Sequence, residues 1–176
     1  MKKHLLAAAI VALAAGSAMA QANDTLAKIK GSGSVTLGVR ESSGLSYTLG
    51  NGKYVGFHTE MGERVLDDIQ KQLGLAKLDV KYQPVTSQNR IPLVTNGTVD
   101  LECGSTTNNA ARQKDVAFAV TTYVEEVRMA VKANSGINSI TDLKGRTVAT
   151  TGTTSVQTLR KNERAGNLDF KEVYGK

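Results

Sequence analysis

An alternation of strand-like and helix-like segments in the first half of the chain limits the possible folds most strongly. Apolar residues alternate from Val35 to Val39, which predicts a strand, and then recur at three- and four-residue steps from Thr59 to Leu73, which predicts a helix. The pattern repeats with a strand at Leu78–Tyr82, a short helix at Gln88–Thr95 and a strand at Val99–Cys103. This order predicts an α/β fold with a parallel sheet and right-handed crossovers.

Polar segments flank these elements. The opening segment through Ser34 is polar, and its last four residues, GSGS, are typical of a linker. Between the first strand and the first helix, a stretch rich in serine and glycine contains Gly50-Asn51-Gly52. This triplet predicts a short hairpin, because these residues tolerate the positive backbone angles of a tight turn.

A second alternating unit follows the polar region near Arg112. The β-rich segments Val116–Val120 and Tyr123–Lys132 predict extended linking strands. Beyond them the pattern predicts a strand at Thr147–Ala149, a helix ending near Arg164 and a strand at Leu168–Val173. These elements are too few to close a second core, so we expect a truncated chain, a fragment of a longer protein.

The first twenty residues predict a cleavable secretory signal. Two lysines precede an apolar run that ends in Ala18-Met19-Ala20, the small-residue pattern of a cleavage site. The run is shorter than the roughly 20 apolar residues that span a bilayer. Because Gln21 stands where a lipoprotein would carry cysteine, we expect the mature chain to be free in the periplasm or outside the cell.

Charge and cysteine content narrow the possible partners. Removal of Lys2 and Lys3 with the signal lowers the formal charge from +6 to +4. The basic residues are scattered and aromatic residues are few, so a small anion is a better predicted partner than nucleic acid. Cys103, the single cysteine, excludes a disulfide within the chain and is predicted to be a buried small hydrophobic residue.

Donor side chains follow the predicted strands. In an open parallel sheet the ligand crevice lies beyond the carboxyl ends of the strands, so residues there are candidates for binding. They are Arg40 after the first strand, Ser87 and Arg90 after the second, Ser105 to Thr107 after the third, and Thr153 and Thr154 in the second unit. The guanidinium group of arginine offers a fixed fork of N–H donors that matches the two oxygens of a carboxylate, so arginines at this place suit an anionic ligand. A single arginine after a strand is more often a solvent-exposed surface residue. The prediction of an anion-binding site therefore depends on several donors lying together at the same end of the sheet.

Several long motifs resemble a known family. They are PVTSQNRIPLVTNGTVDLECGSTTNNAARQKDVAFA from Pro84, GVRESSGLSY from Gly38, the Gly-Phe-x-x-Glu step from Gly56, and DLKGRTVATTGTTS from Asp142. Together they resemble the glutamate- and aspartate-binding members of the family 3 extracellular solute-binding proteins, and the resemblance covers most of the mature chain.

This resemblance implies a two-lobed, type II periplasmic-binding-protein-like clamp whose second lobe is incomplete here. Residues 1–20 would be the signal peptide, 21–122 lobe 1, 123–132 the hinge or linking strand, and 133–176 a partial lobe 2. The full-length protein would be a monomer that captures glutamate or aspartate in the periplasm for the membrane permease of an ABC importer. It would need no cofactor and no metal.

The resemblance also implies roles for individual residues. Arg112 would bind the α-carboxylate of the ligand with help from Thr107 and the Thr153-Thr154 turn, and Ser105 would receive the ammonium group. The side-chain carboxylate would be held by Arg40, Ser87 and Arg90. Strand-end reasoning alone does not single out Arg112, which lies within a polar segment.

Two other function classes remain open. The first is a periplasmic dehydratase-like enzyme on the same fold, with Asp100 or Glu102 as acid or base. His58 is the only histidine after processing, and we see no catalytic triad or metal-ligand spacing, so we expect no enzymatic activity. The second is a ligand-sensing domain, which we rank lower because no membrane-spanning segment follows the signal.

Overall fold

The computed structural model describes residues 24–152 and 154–175, so the predicted signal peptide and Thr153 lie outside the described residues. In chain order the helices and strands are α1 (Thr25–Ser32), β1 (Ser34–Val39), β2 (Ser42–Ser43), β3 (Ser46–Gly50), β4 (Lys53–Val55), α2 (Phe57–Gln72), β5 (Asp79–Pro84), α3 (Arg90–Thr95), β6 (Leu101–Glu102), β7 (Thr147–Thr151), α4 (Thr154–Gly166) and β8 (Lys171–Gly175).

The central sheet has the predicted parallel arrangement. Strand β1 lies between β5 and β6, with Ser34 opposite Asp79 on one side and Leu37 opposite Leu101 on the other. The chain passes from β1 to β5 and then crosses back to β6, so the strand order reverses at β1. In α/β sheets, ligands bind at such a reversal, outside the carboxyl ends of the strands.

Aliphatic side chains from β1 and two helices form the main core. Val35, Leu37 and Val39 of β1 pack with Ile29 of α1 and Leu66 of α2, and each is at most 1% exposed. Full burial of one such side chain contributes about 1.5–3 kcal/mol. This core fixes β1 in the sheet, and with it the strand end that carries Arg40.

The segment predicted to be a linker is helix α1 instead. The Asp24 side chain accepts a hydrogen bond from Ala27 N (3.1 Å) and caps the first turn. Gly33 adopts φ 64° and donates its N–H to Ile29 O, which ends the helix. Of the GSGS residues that suggested a linker, Gly31 and Ser32 form the end of the helix, Gly33 caps it and Ser34 begins β1, while Ile29 anchors the helix in the core.

The predicted hairpin is confirmed. Strands β2, β3 and β4 pair antiparallel, and the turn at Gly50, Asn51 and Gly52 has positive φ at each residue. Helix α2 follows directly and extends from Phe57 to Gln72, close to its predicted bounds.

Three other elements differ from the prediction. Helix α3 begins at Arg90, because the Thr86 hydroxyl accepts hydrogen bonds from the amides of Gln88 and Asn89 and forms a separate turn. Strand β6 is shorter, since Val99 N donates to Leu93 O rather than to the sheet. Residues 116–132 form no strand, because no neighbouring strand in the described residues pairs with them.

The second unit contains the predicted strand–helix–strand order. Strands β7 and β8 pair in parallel, with Thr147 opposite Lys171, and α4 connects them. Leu143, Leu159 and Phe170 form a small separate core. The first residue of α4, Thr154, lies immediately beyond the carboxyl end of β7.

Candidate functional site

Arg40 lies where β1 ends, and its guanidinium reaches the neighbouring strand. Its Nη1 donates to Val85 O, one residue past β5, at 2.6 Å, and its backbone N donates to Ser46 Oγ at 3.0 Å. The residue is only 8% exposed. These contacts hold a buried positive charge across the ends of β1 and β5, as the sequence predicts.

Arg90 is buried more deeply, at 3% exposed, in the first turn of α3. Its Nη1 makes only a long contact with Ser105 Oγ, 3.5 Å away, which brings together the residues after β5 and β6. Burial, and then repulsion from Arg112 and Arg40, lower the pKa of Arg90 to about 10, against the attraction of Glu102. The site therefore holds a guanidinium whose charge is poorly compensated by the protein.

Arg112 reaches the same region from the 3₁₀ turn Arg112–Lys114. Its backbone N donates to Asn109 Oδ1 (3.0 Å) and its Nη1 to Thr107 O (2.8 Å), so the loop after β6 fixes both ends of the residue. Burial lowers the pKa of Arg112, and Glu102 opposes this effect. The sequence signal for this placement is Asn109, whose side chain accepts this hydrogen bond three residues before Arg112, and strand-end reasoning does not consider it.

The second unit closes over this edge of the sheet through its β7–α4 turn. Thr107 Oγ1 and Thr154 Oγ1 are 3.3 Å apart and share a hydrogen bond. A Cβ at Gly152 would lie 3.4 Å from Gln88 Nε2, so the turn also approaches the segment after β5. The Ser87 side chain is half-buried in the same segment. The role of Thr153 stays a prediction.

Buried polar atoms without a partner in the described residues concentrate at this edge. They include Arg40 Nε, Arg90 Nε, Glu102 Oε1 and Thr106 Oγ1. Each such atom costs about 1–3 kcal/mol if it stays unpaired. Two of them are guanidinium donors, so the edge offers hydrogen bonds to an anion.

Sequence reasoning missed Gly104 and considered Glu102 only as a possible acid or base. A Cβ at Gly104 would collide with Glu102 Oε1 and lie 2.7 Å from Arg40 Cγ. A larger residue at this position would therefore force the Arg40 stem or the Glu102 carboxylate to move. Strand-end position alone could have marked Glu102, since it is the last residue of β6.

The combined charge of the site favours a ligand with more than one carboxylate. Arg40, Arg90 and Arg112 contribute three positive charges and Glu102 one negative charge. In the described residues, no cluster of three or more histidine, cysteine, aspartate or glutamate side chains is placed to hold a metal ion. Hydrogen-bond donors and charge are thus what the site offers to a ligand.

Residues 35–173 match the family described as bacterial extracellular solute-binding proteins, family 3. The chain belongs to this family. It is 46% identical over 172 residues to an L-glutamate/L-aspartate-binding protein of Pseudomonas aeruginosa, with 95% of this chain and 56% of the relative covered. It is 40% identical over 179 residues to a glutamate/aspartate import solute-binding protein of Escherichia coli K12, with coverage of 97% and 59%.

Solved structures of solute-binding proteins share the fold. An ancestral amino acid-binding protein, described as a precursor of cyclohexadienyl dehydratase, aligns with a TM-score of 0.65 at 25% identity, over 86% of this chain and 64% of that one. A cysteine-binding protein from Campylobacter jejuni aligns with the same TM-score at 22% identity, over 86% and 59%. The predicted fold class is confirmed: the chain has the α/β architecture of the type II periplasmic binding proteins, with part of a second lobe.

The chain spans 56–61% of the length of the three glutamate/aspartate-binding relatives. The proposed lobe boundaries, 21–122, 123–132 and 133–176, stay predictions. Within the described residues, no helix is both long and apolar enough to cross a membrane.

Proposed function

We propose that the full-length protein containing this chain is the periplasmic solute-binding component of an ABC importer and captures glutamate or aspartate. The observation that carries the proposal is the convergence of Arg40, Arg90 and Arg112 at one edge of the parallel sheet. The names of the relatives from Pseudomonas and Escherichia support the same ligand class.

The arginines divide the ligand between them in this proposal. Arg112, whose guanidinium lies beside Thr107, binds the α-carboxylate together with the Thr153-Thr154 turn. Arg40 and Arg90 bind the side-chain carboxylate with Ser87, and Ser105 receives the ammonium group. Buried guanidiniums strengthen these contacts, because desolvated charges interact more strongly than exposed ones.

Ligand binding favours the closed clamp because both lobes contribute contacts. The arginines lie in the first lobe and the threonine turn in the second, and Thr107 and Thr154 already share a hydrogen bond. A ligand that contacts both lobes binds the closed state more tightly than the open one and shifts the equilibrium toward closure. The permease would then recognise the closed, loaded form of a monomeric carrier.

An enzymatic role needs a carboxylate in the cleft that no arginine faces. The carboxylate at this edge, Glu102, instead lies within the electrostatic reach of Arg90 and Arg112. His58 is buried, with its Nε2 2.9 Å from Thr122 Oγ1. We therefore propose a binding protein rather than a dehydratase-like enzyme or a sensor.

Calorimetric titration of the full-length mature protein tests the proposal. Glutamate, aspartate, glutamine and alanine would be titrated in turn under identical buffer conditions. Binding restricted to glutamate and aspartate is the expected result. Equal binding of glutamine, or no binding of any of the four, would contradict the proposed ligand class.

A further inference from the structure

Glu102 is a half-buried residue close to the arginines, and the proposed ligand contacts do not use its carboxylate. Its Oε1 is buried and has no hydrogen-bond partner in the described part of the chain, where it also forms no ion pair within 4.0 Å. Its negative charge nevertheless acts to raise the pKa of both Arg90 and Arg112. The carboxylate thus lies within electrostatic reach of two guanidiniums without being neutralised by either.

Two glycines make room for this side chain. A Cβ at Gly38 would lie 3.2 Å from Glu102 Cγ and 2.9 Å from Val99 Cγ1. A Cβ at Gly104 would collide with Glu102 Oε1 and with the stem of Arg40. Neither glycine has a positive φ, so the backbone conformation does not require glycine at these positions. Glu102 is one of the side chains that limit the space at each glycine, together with Val99 at Gly38 and Arg40 at Gly104.

We propose that Glu102 is a positioning residue that acts as the counter-charge of the arginine cluster. Buried guanidiniums repel one another, and a nearby carboxylate reduces the repulsion before a ligand arrives. Glu102 also lowers the positive potential of the site, and so limits how strongly a ligand with an anionic side chain is preferred over one with a neutral side chain. The selectivity part of this inference rests on the proposed function.

The variant Glu102→Gln in the full-length mature protein tests this role. It removes the charge with little change of shape. Its midpoint of thermal unfolding without ligand is expected to fall, because the arginines lose their counter-charge. The preference for glutamate over glutamine is expected to rise roughly tenfold, and the glutamate dissociation constant should depend more steeply on sodium chloride.

Asp100→Asn is the matched control. Asp100 lies two residues earlier, and its buried carboxylate accepts a hydrogen bond from Thr36 N (2.9 Å) and pairs with Lys28 (2.7 Å). Its loss is expected to lower the unfolding midpoint but to leave the ligand preference and the salt dependence unchanged. Glu102→Asp keeps the charge and is expected to retain the wild-type salt dependence even if it is less stable.

A double-mutant cycle without ligand separates this inference from the proposed function. If Glu102 compensates the arginines, Glu102→Gln should lower the unfolding midpoint less in an Arg90→Met background than in the wild type. Additive effects would overturn the counter-charge role, whether or not the protein binds acidic amino acids.

The ligand measurements have their own contradicting result. Suppose that Glu102→Gln weakens the binding of glutamate and of glutamine equally and keeps the wild-type salt dependence. Suppose also that the binding of glutarate, which lacks an ammonium group, is unchanged. Glu102 would then contact the ligand ammonium directly, and the positioning role would be wrong. If wild-type protein binds no acidic amino acid, the proposed function fails, and the ligand-free cycle alone decides the role of Glu102.

Discussion

Replacement of Arg90 by methionine is expected to stabilise the ligand-free protein while it removes the preference for acidic ligands. Burial and the neighbouring arginines lower the pKa of Arg90 to about 10. Arg90 therefore stays charged at every pH below that value, and its charge makes folding less favourable there. Each pKa unit corresponds to about 1.4 kcal/mol, which gives a cost of about 3 kcal/mol as an upper bound. Relaxation of the protein around the buried charge reduces the expected gain to about 1–2 kcal/mol.

The stability assay is thermal unfolding of the ligand-free protein, followed by circular dichroism. A gain of 1–2 kcal/mol corresponds to a rise of about 2–8 °C in the unfolding midpoint. Methionine keeps an unbranched apolar stem, so the packing around α3 is largely preserved. Arg64→Met, at an exposed position of α2, is the matched control and should change the midpoint little.

The same variant should lose affinity for glutamate and not for glutamine. Loss of a buried charge that binds a carboxylate costs about 2–5 kcal/mol, or at least about thirtyfold in the dissociation constant. Calorimetric titration with both ligands measures the difference. The reasoning would be refuted if Arg90→Met lowered the unfolding midpoint clearly below that of Arg64→Met, or if it weakened glutamate and glutamine to the same extent.

Four further predictions concern Arg112 and Thr154 of the candidate site and Cys103, which follows β6. Arg112→Ala should weaken glutamate and glutamine alike by more than about 100-fold in calorimetry, because both ligands have an α-carboxylate; a loss confined to glutamate would contradict its role. Thr154→Val, which removes the hydrogen bond to Thr107, should weaken glutamate about fivefold and leave the unfolding midpoint almost unchanged; an unaltered dissociation constant would exclude a role in closure. Burial raises the pKa of the Cys103 thiol to about 11, so it should react with iodoacetamide at pH 8 at least tenfold more slowly than in denatured protein. Because the unfolded thiol ionises first, stability should also fall as the pH rises from about 9 to 11, and equal falls in wild type and Cys103→Ala would contradict this.

The parallel sheet could be predicted because its strands and helices have clear hydrophobic periods. Helix α1 could not, since its capping residues Asp24 and Gly33 are also the residues that linkers favour. The segment 116–132 has a strand-like composition, but a strand is defined by a partner, and composition does not reveal whether one is present.

The site was predictable wherever it follows from strand ends. Strand ends predict Arg40, Arg90 and Ser105. Arg40 contacts Val85, which follows β5, and Arg90 contacts Ser105, which follows β6. Arg112 came only from the family resemblance, because a 3₁₀ turn rather than a strand end positions it. The contribution of Glu102 depends on the space left by two glycines, which becomes visible only in three dimensions.

The most direct test of the central claim is a crystal structure of the full-length mature protein with bound glutamate. We expect the α-carboxylate on Arg112 and the side-chain carboxylate between Arg40 and Arg90, with the Thr154 turn closed over the ligand. A reversed ligand, or a glutamate that leaves Arg40 and Arg90 without contact, would contradict it.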